Sequence, residues 1–149
     1  MLRIAPFVRK NRYLFVVVLT SAFLMLIIIG VFRIDNSTNL MIVEYLNQLG
    51  WQVEKTPSEI SHLTIPEEFD AVYESYNALQ TSSGYNLEDF KGEFVTRYTY
   101  RVLNHQSSDT TRVVAGIFVF ENTIIAGDIS STEVNGFMHP ITDTSYIGK

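Results

Sequence analysis

From Tyr13 to Phe32 the chain reads YLFVVVLTSAFLMLIIIGVF, twenty residues without a charge and with only Thr20 and Ser21 as polar interruptions. At about 1.5 Å rise per residue such a run spans roughly 30 Å, the thickness of a bilayer hydrocarbon core. It predicts a transmembrane helix over 13–32. A cleaved signal peptide would carry an apolar region of about 7 to 15 residues ending in a small-x-small site. Here the only small triplet, Thr20-Ser21-Ala22, is followed by ten more mostly apolar residues. A buried core helix would need a polar face that this run lacks.

The period then changes repeatedly. Residues 33–39 (RIDNSTN) form a polar link in which Asn36 or Ser37 can cap a helix from Thr38 to Leu49, with Leu40, Val43, Leu46 and Leu49 as its stripe. Gly50 occupies the C-cap position. Trp51–Glu54 alternates and reads as a short strand, and Glu59–Ile65 as a second extended piece. Pro66 and the acidic residues Glu67, Glu68 and Asp70 predict a helix over 67–81. Its face would be Phe69, Val72, Tyr73, Tyr76 and Leu79.

Beyond Gly92 the alternation is twofold. Over Phe94–Leu103 it predicts a core face (Phe94, Thr96, Tyr98, Tyr100, Val102) and a wet face (Val95, Arg97, Thr99, Arg101, Leu103). His105–Thr111 reads as a loop. Arg112–Phe120, apolar on both faces, reads as a central strand, and Glu121-Asn122 as a two-residue turn into a strand over Thr123–Ile129. Residues 130–149 read as a loop-rich tail. The order predicts an α+β domain with helices packed on one face of a curved antiparallel sheet. The organisation is a basic stub (1–12), a transmembrane helix (13–32), a linker (33–39) and an extracytoplasmic domain (40–149).

Charge orients this arrangement. Arg3, Arg9, Lys10 and Arg12 precede the apolar run and Arg33 alone follows closely, so the N-terminus is expected on the cytoplasmic side. Residues 36–149 hold six basic and 15 acidic residues, a net charge of −9. Such a domain is a poor partner for nucleic-acid phosphates and is repelled by anionic lipid. The chain has no cysteine, which excludes disulfides and thiolate chemistry.

Candidate chemistry is sparse. Asp128, Ser130, Ser131, Glu133 and His139 cluster around the end of the last strand, where a serine, a base and an orienting carboxylate would be needed for nucleophilic catalysis. Neither serine sits in a nucleophile-elbow glycine pattern. The competing reading has Asp128 and Ser130 capping a turn and His139 bonded to backbone. His62, His105 and His139 lack metal-ligand spacing, so no metal and no cofactor are expected. Arg97 and Arg101 can clamp a carboxylate or phosphate of a partner, or pair within the sheet with the domain's own acidic side chains.

Several segments resemble one family: Leu49-Gly50-Trp51-Gln52-Val53, Ile65-Pro66-Glu67-Glu68-Phe69, Val72–Gln80, Arg97-Tyr98-Thr99-Tyr100, and Gly127-Asp128 with Gly136-Phe137-Met138-His139. It is a domain of unknown function in membrane-anchored proteins of Gram-positive, clostridia-like bacteria. The resemblance covers about residues 40–141 and implies a cell-envelope setting; it carries over no catalytic residue. The sequence therefore leads to a single-pass, membrane-anchored binding or sensory module without catalysis. Its partners would be the bilayer, through 13–32, and a membrane or envelope protein. The alternatives are a hydrolase-like enzyme using Asp128 and His139, and a structural subunit presenting Val114, Phe118 and Phe120.

Overall fold

The computed structural model describes residues 6–148, without the side chains of 6–16 and 26–35. Its contacts divide the chain into two units, residues 1–38 and 39–149. Helix α1 is Pro6–Gln48, so residues 33–39 are helical where the sequence predicts a link and a cap. Neither a glycine nor a proline stands between Arg33 and Leu49 to end it. Much of the expected span Tyr13–Phe32, and all four basic residues before it, lie outside the described side chains. Among the described residues, no helix is long and apolar enough to cross a membrane.

The second unit is α+β. Its sheet is a five-stranded antiparallel meander in chain order: β1 (Glu59–Thr64), β2 (Phe94–Arg101), β3 (Val113–Phe120), β4 (Thr123–Ser131) and β5 (Met138–Pro140). Helix α2 (Ala71–Ser82) lies between β1 and β2 in sequence, and short 3-10 turns cover Leu87–Phe90 and Thr144–Tyr146. The predicted central strand is central: β3 pairs with both β2 and β4, and Val113–Val119 are all buried. The turn after it has Glu121 and Asn122 at φ 44° and 64°, the left-handed pair that a two-residue hairpin requires. Ile125 is the extra residue of a bulge, because Phe118 pairs with Ala126 and Val119 with Ile124.

Helices occupy both faces of the sheet, not one. On the first face Ile42 and Leu46 of α1, with Trp51, pack on Tyr98, Tyr100, Val102, Ala115, Ile117 and Ile129. On the second, Ile65, Leu87 and partly buried Tyr76 pack on Val95, Phe118, Ile125 and Ala126. The face of β2 expected to be wet therefore holds buried Val95, which packs with Ile65 and Leu87, and buried Thr99. Twofold alternation identifies two faces but cannot say how many are covered.

Local chemistry explains the shifted boundaries. Asp70 caps α2, its Oδ1 accepting the Tyr73 N–H at 2.8 Å, and the helix starts at residue 71, not 67. Gly50 ends α1 at φ 95°, a value suited to glycine, and its N–H donates to the Asn47 carbonyl. The expected strand Trp51–Glu54 reduces to a single bridge, Val53 to Val102. The tail is more regular than its composition suggests: β4 runs on to Ser131 and β5 pairs Asp128–Ser130 with Met138–Pro140. Three residues ending in proline carry no alternation signal, and Pro140 is tolerated because β5 is an edge strand.

Candidate functional site

Asp128 lies at the centre of β4, fully buried, on the face covered by α2. Its Oδ1 accepts the Tyr76 hydroxyl at 2.7 Å and its Oδ2 the Ser130 hydroxyl at 3.0 Å. The Arg97 guanidinium reaches within 3.9 Å of Oδ1 from β2, two strands away. It passes over Gly116, where a Cβ would sit 2.6 Å from Arg97 Nη2 and 3.0 Å from Asp128 Oδ1. The bare backbone at Gly116 is therefore what lets the pair meet across β3. Burial pushes the Asp128 carboxyl above its ordinary value, against the opposing pull of Tyr76, Arg97 and Ser130. Burial, followed by the charge of Asp128, raises the Tyr76 phenol well above 10.0.

The second polar centre lies on the opposite face. His105 and His139 are both buried, their Nε2 atoms 3.3 Å apart. Neighbouring bonds assign the protons. The Ser107 N–H donates to His105 Nδ1 at 3.0 Å, so the neutral ring carries its proton on Nε2. His139 Nδ1 faces the Pro140 carbonyl at 3.1 Å and must donate to it, leaving the His139 Nε2 lone pair to accept from His105. The rings stand in an aromatic box: His105 stacks on Phe137 at 4.8 Å and His139 on Tyr146 at 4.3 Å, with Trp51 about 6 Å from both. Burial, followed by the neighbouring His139, lowers the His105 pKa below 6.5.

These placements separate residues that the sequence put together. In the ladder Asp128 is opposite Pro140 and Ile129 is opposite His139, so Asp128 and His139 project to opposite faces. They form no catalytic pair. Arg97 and Arg101 do not form a clamp either: Arg97 goes to Asp128, and Arg101 is an exposed partner of Glu54 at 3.8 Å. Each arginine thus has an acidic neighbour within the domain. Val114 and Phe118 are buried beneath the α2 side of the sheet, not available as an interface.

What is open is a groove beside α2, about 400 Å³ in volume and lined by Val72, Tyr73, Ser75, Tyr76, Leu79 and Met138. The buried residue of α2, near its end, is Gln80. Gln80 Oε1 accepts the Gly127 N–H at 2.8 Å, one residue before β5 begins to pair with β4. The helix is anchored through this bond, and of its predicted apolar stripe Val72 stays 74% exposed while Phe69, Tyr73, Tyr76 and Leu79 are half-buried. Met138, opposite Ser130 in the ladder, forms the far wall.

Four residues of these centres take roles that a sequence reading does not assign them. Tyr76 and Gln80 sit in a helix whose stripe reads as core, Gly116 in a strand that reads as continuous, and His105 in a polar loop. The only local hint is glycine in the middle of a buried strand, which marks a close approach.

Fold and sites together define a small α+β domain: an antiparallel meander with helices on both faces, in which buried polar centres lie near an open apolar groove. The chain belongs to the family described as Domain of unknown function (DUF4830), which it matches over residues 45–129, more than half its length. That stretch contains Asp128, Tyr76, Gln80, Gly116 and His105 but stops before β5 and His139. No curated protein and no solved structure matches the chain.

Proposed function

We propose that this protein is a membrane-anchored interaction module whose extracytoplasmic domain binds a basic, apolar segment of a membrane or envelope protein in the groove beside α2. The observation that carries the reading is that groove: an apolar helix face left uncovered between Val72 and Met138 on a domain of net charge −9. Exposed apolar patches on an otherwise polar surface mark interaction sites. Glu67, Glu68, Asp70 and Glu74 surround the start of α2 and favour a partner carrying Lys or Arg. Anchoring rests on the uncharged run Tyr13–Phe32 and orientation on the four basic residues before it. The envelope of a Gram-positive, clostridia-like bacterium is the setting implied by the resemblance.

The test is cross-linking of a tagged full chain in intact cells, with mass spectrometry of the linked peptides. The reading expects one membrane or envelope protein, linked through a Lys- or Arg-bearing apolar segment. Capture should fall at least about tenfold in Val72→Lys, equivalent to roughly 1.4 kcal/mol of binding. No partner above a tag-only control, or equal capture by Val72→Lys, overturns it.

A further inference from the structure

The groove and the histidine pair are joined through one three-residue strand. Within β5, Met138 points to the α2 face and walls the groove, while His139 points to the other face and bonds His105. β5 is short, lies at the sheet edge and ends in a proline, so its ladder bonds to β4 are few. The strongest tertiary ties of the segment around it lie on the histidine side. These are the His105–His139 bond, the Trp51 Nε1–H donating to the Ile141 carbonyl at 2.7 Å, and the stacking of Phe137 and Tyr146 on His105.

We propose that the His105–His139 pair is an acid-released latch: protonation detaches β5 and the residues after it from the sheet edge and withdraws Met138 from the α2 groove. The bond pattern allows only the neutral pair. A proton added to His139 Nε2 would face the Nε2–H of His105 across 3.3 Å, donor against donor. A proton added to His105 Nδ1 would face the Ser107 N–H. Either also places a charge on a buried ring beside fully buried Trp51. The lowered pKa of His105 agrees with this preference for the neutral ring.

Among the described residues, Tyr146 and Asp143 lie beside the pair and Asp128 feels it through the sheet. Tyr146 stacks on both rings. Asp143, held below the usual carboxylate range chiefly by Ser145, also feels His139, as does Asp128 from the opposite face. The two carboxylates favour an imidazolium, but Asp128 is engaged by Tyr76, Ser130 and Arg97, and neither carboxylate bonds to a ring. The donor-against-donor contact at His139 Nε2 remains.

The latch regulates the groove, so its consequence for binding rests on the proposed function. Its test uses no ligand. In the full chain in detergent micelles, hydrogen exchange of residues 137–148 and the emission of Trp51, the single tryptophan, are followed from pH 7.5 to 5.0. Protection factors, corrected for intrinsic exchange, should fall in 137–148 by about tenfold per pH unit between the closed- and open-state pKa values, while those of β2 and β3 hold. Trp51 emission should shift to the red over the same interval. His139→Gln and, as a second variant, His105→Gln should make protection in 137–148 independent of pH. Constant protection in the unmutated chain, an equal loss in β2 and β3, or a pH dependence that survives both variants overturns the latch. Absence of a groove partner would bear only on the binding reading.

Discussion

Arg97 and Asp128 stand two strands apart in the sheet, yet the guanidinium lies 3.9 Å from the carboxylate because Gly116 between them has no side chain. The geometry ties a charge pair under α2 to one backbone position in the central strand. A methyl group at 116 would occupy the path of the arginine and crowd Asp128 Oδ1. Gly116→Ala should therefore destabilise the domain by about 1–3 kcal/mol, the usual cost of overpacking. A urea midpoint shifted down at constant slope checks this.

Asp128 separates charge from hydrogen bonding. Asp128→Ala leaves the Tyr76 and Ser130 hydroxyls without their acceptor and the Arg97 guanidinium without its counter-charge, which should cost about 3 kcal/mol. Asp128→Asn keeps an oxygen for Tyr76 and removes a charge that burial already disfavours, so its loss should be no more than about 1 kcal/mol. Equal losses by chemical denaturation would mean that the carboxylate charge, not its bonds, holds the site.

Gln80 substitutes for a missing strand partner of Gly127. Gln80→Leu keeps the volume but orphans that buried N–H, while also removing Nε2, which has no partner of its own. The two effects partly offset, and a net loss of about 1 kcal/mol is expected. Amide exchange at Gly127 should accelerate in the variant.

The pH dependence of stability has opposing contributions. His105 has a folded-state pKa below 6.5, so its contribution is present above pH 6.5 and is lost as pH falls through the folded value. Asp128 has a folded-state pKa above 3.8, so the folded state gains stability relative to the unfolded as pH falls through that raised value. Stability measured by urea should decline on first acidification below about pH 6.5. The decline should flatten in His105→Gln.

Much of the fold was legible because it rests on local patterns. Alternation located β2, a run apolar on both faces located β3, and Glu121-Asn122 marked the hairpin into β4. The start of α2 was not, since the Asp70 cap competes with an equally good signal at Pro66. Nor was β5, whose three residues fall below any periodic signal. Asp128 and His139 stood out by residue type, but their partners did not. Tyr76 is 52 residues from Asp128 and His105 is 34 from His139, separations that only the meander closes. The same alternation that makes Asp128 and a neighbour of His139 adjacent in the ladder sends their side chains to opposite faces.

We propose that the exposed face of α2 around Val72 binds a partner. The most direct measurement places a photo-activatable side chain at Val72 in the full chain, in intact cells, with Val134 as a still more exposed apolar control. The account predicts an adduct from Val72 to a basic, apolar segment of one membrane or envelope protein, and none from Val134. No adduct at Val72 beyond that at Val134 would contradict it.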